Sequence, residues 1–261
     1  MIDERRRKIA FQAIRLAGNY LQEMFNGEVK AKIKPDSSWV SEVDCASEDL
    51  IVKSIGRAFP DDGILTEESS EKKSKNQYRW VIDPLDGTHN FLVGLYDFGC
   101  GLSLERENEL IFGICYFPKY HQTFWAEKRS GAFCNGKKIR VSGTKEFRAG
   151  IFIPDSNFRI ATQRSLDDIK ALSGVGCSIR INGCSHRALM CVASGRALIA
   201  ISRSGKPWDL SPGALILKEA GGMITNEDGV PWRIGSREII ATNGFVHSTV
   251  LDLIRRKDES T

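Results

Sequence analysis

Acidic side chains at abrupt element boundaries are the residues of this chain best suited to chemistry. Asp83 and Asp86 lie three residues apart in the stretch Trp80–Phe91, which begins as a buried strand and meets a proline directly after Asp83. Proline removes a backbone donor and favours an extended residue before it, so we expect the strand to stop there. Carboxylates on such a turn suit a hard cation such as Mg²⁺. The backbone of Gly87 and Thr88 could then direct N–H groups at a phosphate.

The same residues could also form an ordinary turn, because Asp-Pro and Asp-Gly are common turn formers. Further carboxylates occupy comparable boundaries: Glu67 and Glu68 end a predicted strand, and Asp44 and Asp209 begin predicted helices. Asp44 and Asp209 could each be a helix N-cap. If these ends instead meet at one edge of a sheet, they form one site in which cations must relieve the repulsion between carboxylates.

Helices and a short strand must position the first of these carboxylates. Apolar residues at helical spacing predict one helix over residues 4–25 and a second over about 44–58. The Pro-Asp-Asp-Gly turn ends the second helix, and a short strand at 64–66 then delivers Glu67. Asp44 would stand at the start of the second helix.

The predicted elements divide the chain into two halves. Runs typical of strands between residues 98 and 134 are separated by turn signals, which favours a meandering, largely antiparallel sheet. Later in the chain, strands alternate with helices. We expect one continuous catalytic unit made of an N-terminal α+β half, 1–141, with Glu67 and the Asp83–Thr88 motif, and a C-terminal α/β half, 142–261, with Asp209 and the wall of the substrate pocket.

The composition is typical of an ordinary globular protein. The 261 residues are 41% hydrophobic and 27% charged, which is enough for a full core. A net charge of +4 without a long basic run argues against nucleic acid as a partner. The seven cysteines form no Cys-x-x-Cys pair, so zinc-ligand spacing is absent. No signal-peptide core and no apolar run of transmembrane length is visible, so we expect a reduced, cytoplasmic protein without a membrane segment.

Several motifs together resemble the inositol monophosphatase family, of the inositol monophosphatase / fructose-1,6-bisphosphatase superfamily. Matching segments keep the family's order and spacing over about residues 5–250: Val40–Asp44, Ile64–Ser69, Asp83–Phe91, Gly131–Gly136 and Trp208–Gly222. The resemblance implies an α+β fold, a layered αβαβα sandwich. It also implies a Mg²⁺-dependent, lithium-sensitive phosphatase of small phosphorylated molecules that forms a homodimer.

The resemblance assigns metal ligands residue by residue. It implies that Glu67, Asp83 and the carbonyl of Leu85 hold one ion. Asp83, Asp86 and Asp209 would hold a second ion, and a third would bind more weakly near Glu67. The implied cofactor is therefore two to three Mg²⁺ ions per site.

The resemblance also assigns the groups that act on phosphate and water. The amides of Gly87 and Thr88 would bind the phosphate together with the ions. Asp44 and the Thr88 hydroxyl would orient the attacking water and help to deprotonate it, and Glu67 is counted with them among the catalytic residues. Phosphoryl transfer needs positioning and charge neutralisation more than covalent chemistry, so this set is chemically sufficient.

The residues expected around the leaving group depart from the family pattern. Inositol-preferring members carry an acidic residue seven positions before the aspartate of the second motif, where this chain has Ser202. His186 and Arg187 stand where the family has small, mostly apolar residues. They either point to solvent or, with Arg203, contact a second anionic group, because Arg binds phosphate through two hydrogen bonds. The candidate phosphate and substrate contacts are Asp86, Gly87, Thr88, Gly183, Cys184, Ser185, His186, Arg187, Arg203 and Asp209.

The expected reaction is hydrolysis of a phosphate monoester, most simply inositol 1-phosphate or a related sugar or polyol phosphate, by a metal-activated water. Fructose-1,6-bisphosphatase, histidinol-phosphatase and 3′(2′),5′-bisphosphate nucleotidase activities stay open as alternatives on the same metal site. A non-catalytic regulatory or binding protein on this fold is less favoured, because all of the expected motif carboxylates are present.

Overall fold

The computed structural model describes residues 2–154 and 158–255 of the chain. After an N-terminal helix comes a short antiparallel hairpin of β1 (Ala31–Ile33) and β2 (Trp39–Ser41). Seven strands form the first sheet: β3 (Gly63–Thr66), β4 (Tyr78–Asp86), β5 (Gly99–Arg106), β6 (Glu109–Phe117), β7 (Gln122–Glu127), β8 (Gly131–Cys134) and β9 (Lys137–Ile139). Five form the second: β10 (Ile151–Ile153), β11 (Ser178–Ile179), β12 (Ile199–Ser202), β13 (Met223–Thr225) and β14 (Ile239–Thr242). The same residues hold the helices α1 (Glu4–Met24), α2 (Glu42–Ala58), α3 (Thr88–Leu92), α4 (Phe158–Gly174), α5 (Ser185–Ala193), α6 (Pro207–Glu219) and α7 (His247–Arg255).

The first sheet is a meander from β4 onwards. Its strands lie in the order β3 to β9, and every neighbouring pair after β3 and β4 is antiparallel. The antiparallel sheet predicted between residues 98 and 134 is thereby confirmed. β3 and β4 are parallel. Parallel strands end at the same edge of a sheet, so this one pair brings the residues that follow both strands together.

Helices and sheets alternate in five layers. α1 and α2 pack on the outer face of the first sheet, in a core that includes Ile14 and Trp80. α5 and α6 lie between the two sheets, with Phe124 and Leu189 in the second core. α4 and α7 cover the outer face of the second sheet, where Val250 is fully buried. The expected αβαβα sandwich is therefore confirmed.

α1 shows how a sequence pattern becomes a layer. Ala10, Ala17 and Leu21 recur at helical spacing and are fully buried, whereas the opposite face is polar and exposed. Gly18 lets the helix approach the sheet closely, because a Cβ there would lie 2.1 Å from the ring of Tyr116. Although α1 is long, neither it nor any other helix within residues 2–154 and 158–255 is apolar enough to cross a membrane.

α6 is buried on nearly all sides because it lies between the two sheets. Every residue from Leu210 to Leu217 is buried, including Pro212 and Gly213. A helix that is apolar all round is typical of a central position. The predicted boundary after residue 141 lies between β9 and β10, yet α6 from the C-terminal half packs on β4 to β8 of the N-terminal half. The elements of the two halves therefore interleave.

Candidate active site

Three elements bring carboxylates together at one edge of the first sheet. Glu67 directly follows β3, and Asp83 lies in the neighbouring strand β4. The first turn of α6 brings Asp209 to the same place. One carboxylate oxygen of each residue lies within 4.8 Å of those of the other two. The convergence expected from the sequence is thus present for these three carboxylates.

The sequence predicts a strand that stops at Asp83, but β4 does not stop there. The strand continues to Asp86, and its pairing with β5 shifts between Asp83, opposite Gly101, and Asp86, opposite Gly99. Pro84 lacks an N–H group, so it interrupts the hydrogen-bond ladder only locally. Residues three apart on a regular strand face opposite sides of the sheet. The shift removes that constraint, and both aspartates reach one cluster.

Asp83 lies between Glu67, Asp86 and Asp209 and is cut off from solvent. It is fully buried, and only its Oδ1 is hydrogen-bonded, to the Leu85 amide at 3.1 Å. Its Oδ2 has no hydrogen-bond partner among the described residues. Burial, followed by the nearby Glu67, Asp86 and Asp209, raises the pKa of Asp83 well above its ordinary value. An orphaned carboxylate oxygen among several other carboxylates is the environment that a divalent cation fits.

Glu67 already has one cationic partner, Lys34. The Lys34 ammonium lies 2.8 Å from Glu67 and 2.6 Å from Glu68. Burial and the neighbouring Asp209 nevertheless raise the pKa of Glu67 to about 8, against the opposing effect of Lys34. Sequence reasoning missed this lysine, since it follows the hairpin strand β1 far from Glu67 and belongs to no motif.

α2 fixes the ends of both strands that carry the carboxylates. Glu48 is buried and accepts hydrogen bonds from the Thr66 hydroxyl at 2.5 Å and the Glu68 amide at 2.9 Å. Ser47 donates to the Pro84 carbonyl at 2.8 Å. These contacts hold β3 and the β4 irregularity against one helix, which limits how far the cluster can rearrange.

Asp44 and Thr88 form a hydrogen-bonded pair beside the cluster. Thr88 donates its hydroxyl proton to Asp44 Oδ1 at 2.8 Å. Asp44 Oδ2 accepts from the Ser41 amide at 2.8 Å and the Ser41 hydroxyl at 2.5 Å. Ser41 is therefore the N-cap of α2, and Asp44 is its partner in a capping box rather than the cap itself. Burial raises the pKa of Asp44 although these hydrogen bonds oppose the shift.

Asp86 is held by the first turn of α5. Its Oδ1 accepts from the Ser185 amide at 3.1 Å, and its Oδ2 accepts from the His186 amide at 2.5 Å and the Cys184 thiol at 3.0 Å. Negative charge at a helix N-terminus is favourable. The segment expected to contact substrate therefore also positions a candidate metal ligand. The His186 ring is fully buried, so the alternative in which it points to solvent is wrong.

A small cleft opens beside Asp86, and its walls carry no charged side chain among the described residues. Asn90, to which the sequence assigns no role, supports one wall by donating to the carbonyls of Asp97 at 2.6 Å and Asn182 at 2.7 Å. The lining residues are Pro154, Asn182, Gly183, Cys184, Ser185, Ala188, Leu189, Ala200, Ile201, Ser202, Leu210 and Ile239.

Arg187 lies outside the walls of this cleft. Its guanidinium donates to Gln122 at 3.0 Å, lies 3.4 Å from Asp97 and stacks over the Tyr120 ring at 4.2 Å. The side chain is only 11% exposed. These contacts do not favour the predicted role of Arg187 in binding a second anion, because its charge and its planar face are already engaged.

Arg203 is also placed differently from the prediction. Its side chain is 2% exposed and makes two hydrogen bonds with Asp168, at 2.8 and 2.7 Å. It further contacts Glu227 at 2.8 Å and Glu238 at 2.6 Å. A buried guanidinium among three carboxylates is a structural ion network. The assignment of Arg203 to a substrate anion is therefore corrected to this network, which supports the end of β12 beside Ser202.

Arg203→Met is expected to lower the free energy of unfolding by about 3–5 kcal/mol, because it leaves the buried Asp168 carboxylate without its counter-ion. Urea denaturation followed by circular dichroism would measure the loss. Arg180→Met, at an exposed arginine, is the matched control and should change stability by less than about 0.5 kcal/mol. Equal stability of Arg203→Met and the wild type would contradict the structural role.

Metal-free protein is expected to lose stability as the pH rises from about 4.5 to about 8. The pKa of Glu67 rises from 4.5 to about 8 on folding. Between these values the folded state binds more protons than the unfolded state, so the free energy of unfolding falls with pH. Added Mg²⁺ should flatten the fall, because a bound cation favours ionised Glu67. Melting temperatures at several pH values with EDTA or Mg²⁺ would test this.

Glu67→Gln is the control for that pH dependence, since it removes the titrating group and keeps the side-chain shape. Its melting temperature in EDTA should vary less with pH than that of the wild type. A wild-type melting temperature in EDTA that is constant, or that increases across this window, would show that Glu67 is not the destabilising group.

Comparison with known proteins identifies the family. The sequence profile of the inositol monophosphatase family matches residues 3–259. The chain is 34% identical over 253 residues to the fructose-1,6-bisphosphatase/inositol-1-monophosphatase of Aquifex aeolicus, covering 95% of each chain. It is 33% identical over 253 residues to a putative Nus factor SuhB of Neisseria meningitidis, covering 94% of this chain and 96% of the relative. The solved structure of a Thermotoga maritima IMPase superposes with a TM-score of 0.88 at 30% identity, covering 95% and 96% of the two chains. The chain therefore belongs to the inositol monophosphatase family and is a phosphoric monoester hydrolase.

Proposed function

We propose that this protein hydrolyses the phosphate monoester of a small polyol or sugar, such as inositol 1-phosphate, and that it uses Mg²⁺. One observation carries the proposal: Glu67, Asp83 and Asp209 converge within 4.8 Å beside the hydrogen-bonded pair of Asp44 and Thr88. The carboxylates are suited to cations that attract a phosphate, and the pair is suited to accept a proton from a water. Phosphoryl transfer to water requires both.

The donor set fits hard divalent cations, since carboxylate and carbonyl oxygens are the ligands that Mg²⁺ takes from proteins. Glu67, Asp83 and the Leu85 carbonyl would hold one ion. Asp83, Asp86 and Asp209 would hold a second, with a third near Glu67. When bound, the ions would make water more acidic and neutralise charge on the phosphoryl group and the leaving oxygen.

Asp44 and Thr88 would orient the attacking water and take its proton. Asp44 Oδ2 already accepts two hydrogen bonds from Ser41, so Oδ1 is the oxygen directed at Thr88. Because the Thr88 hydroxyl donates its proton to Asp44, its lone pairs can accept a hydrogen bond from water. The raised pKa of Asp44 makes this carboxylate a better proton acceptor than an exposed aspartate.

The phosphate would lie against the backbone at the start of α3. Gly87 has a φ of +84°, and a Cβ there would lie 2.7 Å from the Asp97 carbonyl oxygen, so a glycine is required. The first N–H groups of a helix have no acceptor within the helix. The amides of Gly87 and Thr88 are therefore suited to a phosphate oxygen.

The leaving group would occupy the uncharged cleft beside Asp86. Ser202, which lines the cleft, stands where inositol-preferring relatives carry an acid, and the cleft walls bear no cation among the described residues. Arg187 and Arg203 are engaged with carboxylates. These features favour a neutral leaving group over one that carries a second phosphate.

A substrate panel tests the proposal. Phosphate release with Mg²⁺ should be fastest with inositol 1-phosphate or another neutral polyol phosphate. Fructose 1,6-bisphosphate, histidinol phosphate and 3′-phosphoadenosine 5′-phosphate should react more slowly, because they add charge to the leaving group. Activity on none of these esters would contradict the proposal, and a preference for a bisphosphate would contradict the interpretation of the cleft.

We also propose that Li⁺ inhibits the enzyme and that the chain forms a homodimer. Both properties are implied by the family. Adding Li⁺ to the phosphate-release assay should lower the rate at fixed Mg²⁺. Light scattering of the purified chain should give twice the monomer mass of 29.1 kDa. Either result can fail without affecting the other.

A further inference from the structure

A histidine ring lies buried beneath the carboxylates and is not accounted for by the proposed chemistry. His186, in the first turn of α5, has no exposed surface. Its Nε2 lies 3.0 Å from the carbonyl oxygen of Trp208. A carbonyl can only accept, so Nε2 carries the proton in the neutral ring. This fixes the tautomer and leaves a lone pair on Nδ1.

The lone pair of Nδ1 lies next to a carboxylate and not next to a hydrogen-bond donor. His186 Nδ1 lies 3.5 Å from Asp86 Oδ2 and has no hydrogen-bond partner among the described residues. Asp83 Oδ2 lies 3.9 Å from Nε2 of the same ring and is a second buried atom without a hydrogen-bond partner among the described residues. Nδ1 and the Asp86 carboxylate are both hydrogen-bond acceptors, so they repel each other unless a positive group lies between them.

The ring cannot simply rotate away from the carboxylates. Gly101 on β5 lies directly against it, and a Cβ at that position would be 2.4 Å from His186 Cε1 and 2.9 Å from Nδ1. The Trp208 carbonyl holds the opposite nitrogen. An imidazole whose second nitrogen is fixed by a carbonyl is the usual arrangement of a metal-ligating histidine.

We propose that His186 Nδ1 and Asp86, beside Asp83, form a nitrogen-containing site for a borderline divalent cation such as Mn²⁺, Co²⁺ or Zn²⁺. One ligand atom from each of these three residues lies within 4.8 Å of the other two. The separation of 3.5 Å between Nδ1 and Asp86 Oδ2 is close to the edge of about 3.4 Å that tetrahedral bonds of about 2.1 Å produce.

The consequence is a metal preference different from that of an all-oxygen site. Imidazole suits the first-row transition metals, whereas Mg²⁺ prefers oxygen ligands and retains its waters. The Cys184 thiol bound to Asp86 Oδ2 is a weak donor, so the carboxylate can exchange that contact for a cation. This inference refines the metal of the proposed function, and its test measures binding rather than turnover.

Pulsed electron paramagnetic resonance of Mn²⁺ tests the ligand directly. The full chain is stripped of metal and loaded with less than one equivalent of Mn²⁺. The wild type should show the ¹⁴N coupling of a coordinated imidazole, and ¹⁵N-histidine labelling should replace it with a ¹⁵N coupling. His186→Gln should lose the nitrogen signal, and His121→Gln, at an exposed histidine, should keep it.

Calorimetric titration supplies a second readout. Substitution of His186 by Gln should weaken Mn²⁺ and Zn²⁺ binding by about tenfold or more and change Mg²⁺ binding by less than about threefold. Wild-type protein without nitrogen coupling, or equal losses for Mg²⁺ and Mn²⁺, would overturn the inference. If His186→Gln does not fold, the isotope comparison on the wild type decides.

The outcomes separate this inference from the proposed function. A chain that binds Mn²⁺ through nitrogen but hydrolyses no phosphate ester would support the former and contradict the latter. Activity with Mg²⁺ and no nitrogen coupling would support the proposed function and contradict this inference.

Discussion

Asp83→Asn is expected to lower kcat/KM for phosphate-ester hydrolysis by about 10³-fold or more. Asp83 is the one carboxylate that the proposal places between two cations, and cation stabilisation of phosphoryl transfer supplies several kcal/mol, at 1.36 kcal/mol per factor of ten. The substitution is nearly isosteric, but it replaces an anionic oxygen by a neutral amide. Initial rates of phosphate release over a range of Mg²⁺ concentrations would measure the effect, which saturating Mg²⁺ should not restore.

The same substitution should make the metal-free protein more stable. Asp83 is buried close to Glu67, Asp86 and Asp209, and burial and these charges raise its pKa. Removing a charge that is unfavourable in the folded state lowers the repulsion within the cluster. In EDTA at pH 8, Asp83→Asn should therefore melt at a higher temperature than the wild type while having lost its activity.

Asp61→Asn is the matched control, because Asp61 is an exposed carboxylate away from the cluster. It should change neither the rate nor the melting temperature in EDTA appreciably. If Asp83→Asn keeps most of the wild-type rate, the assignment of the cations to this cluster is wrong. If Asp83→Asn loses activity and also becomes less stable in EDTA, the Asp83 carboxylate stabilises the metal-free fold, and the repulsion described above is not its main effect.

Local chemistry explains why the carboxylate motif could be read from the sequence. A proline, a glycine and two aspartates within a few residues allow few backbone paths, and the structure has an irregular strand and a helix start there. The resemblance supplied the layered fold, which the structure confirms. The sequence did not predict that β4 continues beyond Pro84, because strand pairing depends on the neighbouring strand and not on the proline alone.

The partners of two buried basic side chains could not be predicted, because they are distant in the sequence. Lys34 contacts Glu67, 33 residues away, and Arg203 contacts Asp168, 35 residues away. In the sequence, both are basic residues in polar loops, for which solvent and a substrate anion are equally plausible partners. Only the folded arrangement reveals that buried carboxylates bind these charges.

The burial of His186 depended on a similar long-range contact. Its place at a helix start suggested a polar, exposed side chain, but Gly101, 85 residues earlier, leaves space for the ring beside the cluster. A glycine within a strand is a signal for close approach of another group. It could have been noticed in the sequence, although not which side chain it accommodates.

Asp44→Asn is expected to lower kcat by about 10²–10⁴-fold, the usual contribution of a general base, and to change KM much less. Asp44 contacts no wall of the leaving-group cleft, and its one oxygen directed at the site accepts from Thr88. A neutral amide cannot take a proton from the Thr88 hydroxyl. Steady-state kinetics with inositol 1-phosphate, at Mg²⁺ concentrations that saturate each variant, would separate kcat from KM.

The pH profile distinguishes a base from a residue that merely supports α2. Burial raises the pKa of Asp44, and the base must be ionised to act, so wild-type activity should fall as the pH decreases through that raised value. Asp44→Asn should remove this acidic limb as well as lowering the plateau. Ser41→Ala breaks the cap and costs about 1 kcal/mol of stability, but it leaves a titrating carboxylate and should keep the limb.

Thr88→Val tests whether Asp44 and Thr88 act as one functional unit. They do so if the proton of the water passes through the Thr88 hydroxyl to Asp44. Thr88→Val alone should lose about as much kcat as Asp44→Asn, and the double variant should be little slower than either single one. Multiplicative losses would mean that Asp44 and Thr88 act on separate steps. In that case the 2.8 Å hydrogen bond between them would serve only to join α2 to the start of α3.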